Sequence, residues 1–271
     1  MLLGYQTNTW GGVIGHPAGV TSVKDLYYLA GGSTEQAAHD ISEAGYKGIE
    51  LFDGNLMQYE DKQQEFQDLL FENDLKLIGV YTGGNFIYKD ILEEEFSKIE
   101  KVAKLASQLG AEHLVIGGGA VRSGGTRESD YEELARGLDQ AASIAQKFNL
   151  IPSYHPHLGT IGETPEQLDK IMGLTSISLC PDTAHIEAGG GDPVEVIRQY
   201  KDRIKYLHFK DYSSGSFLPL GAGHQNFSEM VSLLRDMNYN GWITIELDSY
   251  EDPKAGAVIS KRYLAETLNL M

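Results

Sequence analysis

The chain has 271 residues, 41% of them hydrophobic, with 22 Lys and Arg against 39 Asp and Glu for a formal charge of -17. That is enough chain for one α/β barrel of about 250 residues, and no run of about 18 apolar residues marks a membrane span. Nucleic-acid binding takes most of its affinity from neutralising phosphates, so an acidic balance without any Lys/Arg block excludes it.

The start, Met1-Leu2-Leu3-Gly4-Tyr5, has no basic segment followed by a long apolar stretch, so no signal peptide is expected. Cys180 is the single cysteine, so no intrachain disulfide can form, and a reducing, cytoplasmic setting is expected.

Leu2 to Thr7 reads as a first strand. The irregular segment after Trp10, with Gly15-His16-Pro17, has the length of a functional lid. Ser33, with Gln36 three residues on, opens a helix that runs to Ala44 and stops at Gly45. Lys47 to Phe52 is a second strand, ending near Glu50. Gln58 to Asn73 reads as a polar amphipathic helix and Leu75 to Thr82 as a third strand, with Gly83-Gly84-Asn85 as its exit loop. Ile91 to Leu109 carries Phe96, Ile99, Val102, Ala103 and Ala106 at helical spacing. His113 to Ile116 is a fourth strand, and Glu128 to Phe148 the helix after it.

The second half keeps the rhythm. Leu150 to Tyr154, Ser176 to Pro181, Ile204 to His208 and Trp242 to Leu247 are strands. Helices follow Thr164-Pro165 and Asp192-Pro193, with proline at the first helical position. Phe227 to Met237 and Ala255 to Thr267 complete the pattern. Eight strand–helix pairs at this spacing predict a single-domain (β/α)8 TIM barrel over residues 1–271. An open doubly wound sheet is the alternative; it binds at one switch point, whereas here several strand ends carry polar groups.

Four of those strands run into metal-type side chains: His155, Asp182, His208 and Glu246. Two imidazoles and two carboxylates suit Mn²⁺, Fe²⁺, Co²⁺ or Zn²⁺, with no thiolate to select zinc. In a barrel, strand C-termini converge on one rim, so the four are expected to hold one divalent metal. His157 and His185 lie just beyond ligands, as spare ligands, substrate contacts, proton shuttles or supports. Strand alternation turns His208 and Lys210 the same way, so Lys210 is placed to protonate a leaving hydroxyl or hold an enolate oxygen. Asp211 and Glu50 are further substrate-binding candidates, Glu50 also as a base. Trp10 is expected to wall the pocket or to pack the barrel. Cys180 has no base arranged beside it and reads as core. The triple glycines 117–119 and 189–191 lack phosphate-loop spacing.

Taken together, several stretches carry a resemblance. They are Gly45-Tyr46-Lys47-Gly48-Ile49-Glu50, Leu109-Gly110-Ala111, Asp182-Thr183-Ala184-His185, His208-Phe209-Lys210-Asp211 and Gly241-Trp242-Ile243-Thr244-Ile245-Glu246. In this order the chain resembles the xylose isomerase-like TIM barrels, the sugar phosphate isomerase/epimerase superfamily. Within it, His155-Pro156-His157-Leu158-Gly159-Thr160 and Phe217-Leu218-Pro219-Leu220-Gly221 make it most similar to the inosose dehydratases.

The resemblance implies a metal-dependent carbon–oxygen lyase acting on a keto-inositol in cytoplasmic inositol breakdown. It also implies a polyol or keto-sugar substrate and, as is common among relatives, a homo-oligomer. Superfamily epimerases usually carry Glu where His155 stands, so the exchange favours elimination over epimerisation. Gly221-Ala222-Gly223-His224 stands where a Gly-Glu-Gly type turn is expected. On this reading Glu246 is a ligand that doubles as base, and His157, Lys210 and His185 supply the acid or steady the enolate. A sugar or sugar-phosphate isomerase/epimerase on the same metal is the alternative function. A phosphodiesterase of the endonuclease IV type would need a basic groove, which the charge denies, and a sugar-binding protein without catalysis is the remaining rival.

Overall fold

The computed structural model describes residues 1–11 and 27–270. The segment with Gly15-His16-Pro17, expected as a lid, lies outside the described residues.

The barrel wall is an eight-stranded sheet whose paired strands all run parallel. Its first half comprises β1 (Leu2–Gln6), β2 (Gly48–Phe52), β3 (Lys76–Gly84) and β4 (His113–Gly118). Its second half comprises β5 (Ile151–Tyr154), β6 (Ser178–Leu179), β7 (Leu207–Phe209) and, further along the chain, β10 (Trp242–Ile245). Strand order runs β6-β5-β4-β3-β2-β1-β10-β7. The ends of that row meet through single bridges, Leu179 with Ile204 and Asp182 with His208, which close the ring. The expected barrel is therefore present.

Helices cover the outside: α1 (Thr34–Glu43), α2 (Asp53–Met57), α3 (Gln63–Glu72), α4 (Leu92–Gln108), α5 (Glu128–Lys147) and α6 (Pro165–Leu174). Then come α7 (Thr183–Ala188), α8 (Pro193–Gln199), α9 (Phe227–Asp236) and α10 (Pro253–Glu266). Their starts follow local chemistry. Ser33 accepts the Gln36 N–H, and Thr164 and Gln167 form a reciprocal capping box ahead of Pro165. Gly45 and Gly110 end α1 and α4 at φ of 89° and 90°, a conformation that strains any residue with a Cβ.

Three expectations change. The helix placed at Gln58 starts only at Gln63. Before it, Tyr59 is tied to α1 through Glu35 (2.6 Å) and packs on Phe66 with ring centroids 4.8 Å apart, so the chain turns there. Gly83 and Gly84 are not an exit loop: they pair with Gly117 and Gly118, and the strand continues. An antiparallel hairpin, β8 (Asp211–Ser213) with β9 (Ser216–Leu218), follows β7 where no structure was expected.

Candidate active site at the C-terminal rim

Each strand leaves its last side chains on the rim of the barrel, and β5, β6, β7 and β10 leave the reactive ones. One ligand atom from each of His155, Asp182, His208 and Glu246 falls in a group whose members all lie within 4.8 Å of one another. The structure thus brings the four expected ligands together, and all are buried.

Asp182 has two tasks. Its Oδ1 accepts the N–H groups of Ala184 and His185, each at 2.9 Å, and so caps α7. That leaves Oδ2 for the site. His155 Nδ1 lies 3.9 Å from the Cys180 sulfur, which leaves its Nε2 for the cluster. Burial, then the charge of His208, pushes the His155 pKa well below the usual value, so its imidazole is neutral and ready to ligate. Burial also raises the Cys180 pKa, which favours the protonated thiol.

His208 sits between two carboxylates. Its Nε2 is 3.0 Å from Glu50 Oε2, and its Nδ1 is 2.6 Å from Glu246 Oε2. Burial alone would depress its pKa, but Glu50 and Glu246 outweigh burial and raise it to about 10. Glu246 shows the opposite balance: burial disfavours its anion, yet Lys210 and His208 hold its pKa well below the usual range.

Lys210 is fully buried, with Nζ 2.9 Å from Asp248 Oδ1, 3.1 Å from Glu246 Oε1 and 3.3 Å from Asp182 Oδ2. Burial works against its charge, and the three carboxylates restore it and raise the pKa above its ordinary value. His185 Nε2 is 3.1 Å from the same ammonium. Since Nε2 accepts from Lys210, the neutral ring carries its proton on Nδ1. Burial, then His157 and Lys210, keep that ring neutral.

His157 is half-buried, with its ring centroid 3.8 Å from that of His185. Its Nδ1 lies 2.8 Å from the Leu158 carbonyl, and a carbonyl can only accept. The proton is therefore on Nδ1, and Nε2 carries a free lone pair. Burial lowers its pKa, so the ring is a neutral base near pH 7.

Other candidates are placed differently. Glu50 is wholly buried behind His208 rather than open to the rim. Trp10 packs edge-on against Tyr5 (5.4 Å) and donates its indole N–H to Asp40 (2.9 Å). The Asp211 carboxylate accepts the N–H of Tyr212 in its own strand and those of Gly221, Gly223 and Gln225 in the loop after the hairpin, at 2.8–3.4 Å. Two participants were not among the site candidates: Asn8, whose amide donates to Glu246 Oε1 (3.1 Å), and Asp248. Asp248 follows Glu246 by two residues, and Asn8 directly follows the end of the first expected strand, so rim position was the signal for both. Phe217, on β9, covers Lys210 at 4.9 Å and His185 at 5.2 Å.

The cluster suits a divalent cation. Asp182 Oδ2, His208 Nδ1 and Glu246 Oε2 are buried and make no well-aligned hydrogen bond, although each has a charged neighbour. Four carboxylates, Glu50, Asp182, Glu246 and Asp248, face two cationic groups, Lys210 and His208. Burial leaves the Asp182 pKa at about 7 even with Lys210 beside it, so the site is short of positive charge. Overlapping groups of possible ligands are His155, Cys180 and His208; His155, His157 and His185; and His185, Glu246 and Asp248.

The family model described as xylose isomerase-like TIM barrel matches residues 38–267. The chain belongs to that family. An inosose dehydratase from Geobacillus kaustophilus (strain HTA426) is 28% identical over 268 residues, covering 85% of this chain and 86% of that protein. A probable 3-DHS dehydratase involved in petrobactin synthesis from Bacillus anthracis superposes with a TM-score of 0.76 at 18% identity, over 98% of this chain and 99% of the other. D-psicose 3-epimerase from Clostridium cellulolyticum H10 gives the same TM-score at 15% identity, with both chains covered in full. These two likenesses concern the fold. Among the described residues of this xylose isomerase-like chain, no helix is long and apolar enough to cross a membrane.

Proposed function

We propose that this chain is a dehydratase of a keto-polyol such as a keto-inositol, working with a divalent cation of the Mn²⁺, Fe²⁺, Co²⁺ or Zn²⁺ type. The observation that carries the proposal is the convergence of His155, Asp182, His208 and Glu246 within 4.8 Å, with the Lys210 ammonium beside them. Similarity to an inosose dehydratase over most of both chains supports elimination as the reaction. His155, Asp182, His208 and Glu246 would hold the cation, which supplies Lewis acidity toward a ketone oxygen and a neighbouring hydroxyl.

The chain's own groups do the rest. His157 Nε2 takes the proton α to the ketone. Glu246 is less suited to that step, because its Oε1 is already shared by Asn8 and Lys210. Lys210, kept charged by its three carboxylate neighbours, stabilises through its positive field the oxygen on which negative charge develops. The His157 imidazolium then passes its proton to the β-hydroxyl, the C–O bond breaks and water leaves. One proton is taken and one returned, so the sum is substrate going to unsaturated ketone plus water. Phe217 and the hairpin limit water at this point. Asp211 contributes by holding the following loop in place.

The test is metal content by elemental analysis on the wild type and on His155→Ala combined with His208→Ala, with circular dichroism to verify folding. About one equivalent in the wild type, lost in the folded variant, is expected. No metal in either after adding back these ions would overturn the proposal.

A further inference from the structure

The barrel has one weak join, and the site straddles it. Between β6 and β7 the regular ladder is replaced by the two single bridges, Leu179–Ile204 and Asp182–His208. They are three residues apart on one side (182 − 179) and four on the other (208 − 204), so the join contains a bulge. Pro181 has no N–H to contribute. The backbone bonds that remain are Leu179 N–H to Arg203 (2.8 Å), Lys205 N–H to Leu179 (3.4 Å) and His208 N–H to Pro181 (3.0 Å).

In a continuing parallel ladder the next N–H donated from this strand, two residues on, would be that of Lys210, to the Thr183 carbonyl. Thr183 has already turned into α7, and its carbonyl accepts from Gln225 Nε2 at 3.0 Å. The Lys210 N–H goes instead to the Thr183 hydroxyl oxygen at 3.0 Å, and that hydroxyl donates to the Lys210 carbonyl at 2.8 Å. A side chain thus takes the place of the missing rung, in a fully buried position.

We infer that Thr183 is a positioning residue: its hydroxyl closes the barrel seam at the rim and sets Asp182 against Lys210 and His208. His155 and Asp182 stand on one side of the seam; His208, Lys210 and Glu246 stand on the other. Every ligand pair that spans the seam depends on this rung. Valine has the shape of threonine without the hydroxyl, and it would leave the Lys210 N–H and carbonyl unpaired in a buried place. Serine keeps both bonds.

The metal arm of the test rests on the proposed function; the exchange arm does not. Wild type, Thr183→Ser and Thr183→Val are compared by amide hydrogen exchange and by calorimetric titration with Mn²⁺. We expect Thr183→Val to exchange at least about tenfold faster over residues 207–213, with β2 to β4 unchanged, and to bind Mn²⁺ about 10- to 100-fold more weakly. Thr183→Ser should stay within about threefold of wild type on both readings. Wild-type exchange at 207–213 in Thr183→Val would overturn the inference, as would loosening spread evenly over the barrel with Mn²⁺ affinity intact. If Thr183→Val does not fold, the wild type decides alone: a Lys210 amide as unprotected as the surface loops overturns the inference, and a protected one supports it. Absence of Mn²⁺ binding in the wild type would sink the metal reading, while the exchange arm would still decide the seam.

Discussion

Glu50 and His208 meet at 3.0 Å in the barrel interior, 158 positions apart in the chain, with the His208 ring between Glu50 and the site. A carboxylate in that place fixes ring orientation and makes the imidazole a better ligand. Glu50→Gln keeps the shape and removes the charge. Its Mn²⁺ affinity should fall about 10- to 100-fold, read by titration calorimetry, with the fold retained. Unchanged affinity would mean that Glu50 only fills space.

His157 separates chemistry from binding. It is absent from the four-ligand group, and its Nε2 is the free lone pair near the rim. His157→Gln should lower kcat by about 10²- to 10⁴-fold while leaving metal content at the wild-type level. A variant that loses the metal instead would make His157 a ligand.

Lys210 lies within 3.3 Å of four acceptors: Asp182, Glu246, Asp248 and His185. An ammonium has three protons, so this cage also suits a metal ion, and three of its members already form a possible ligand group. Lys210→Ala should abolish most turnover and raise the metal content from about one equivalent to about two. Elemental analysis reads this directly; one equivalent in both proteins would contradict it.

Far from the rim, His113 is buried against the Tyr206 ring at 4.6 Å, and burial lowers its pKa to about 4. Unfolded, it titrates near its ordinary 6.5. Between those values the unfolded chain binds a proton that the folded chain refuses. Its contribution is therefore whole above pH 6.5 and is lost as pH falls toward 4. Urea unfolding from pH 7 to 4, with chelator throughout, should show the His113→Gln variant losing stability less steeply than wild type, by up to about 1.4 kcal/mol per pH unit. Parallel curves would contradict this.

The clustering of His155, Asp182, His208 and Glu246 was legible because each follows a short apolar strand, and a barrel carries strand ends to one rim. The pairing of Glu50 with His208 was not, because nothing local links two residues on strands that are neighbours neither in the chain nor in the sheet. Asp182 was legible as a member of the rim cluster but not as the N-cap of α7, a helix of six residues that carries too few turns to show a period. The hairpin was hidden for a similar reason: β8 and β9 have three residues each, too few for alternation to show. Asp211 looked like its neighbours at the rim, and only the N–H groups of Gly221, Gly223 and Gln225 around it reveal its attachment to the loop.

The central claim is elimination of water assisted by a bound metal. The most direct measurement is mass spectrometry of the product from a keto-inositol in D₂O, with the metal-loaded protein and again after chelation. The expected product is lighter by one water, absorbs in the ultraviolet as a conjugated ketone, and forms only while the metal is bound. An unchanged formula carrying solvent deuterium, or turnover indifferent to the chelator, would contradict it.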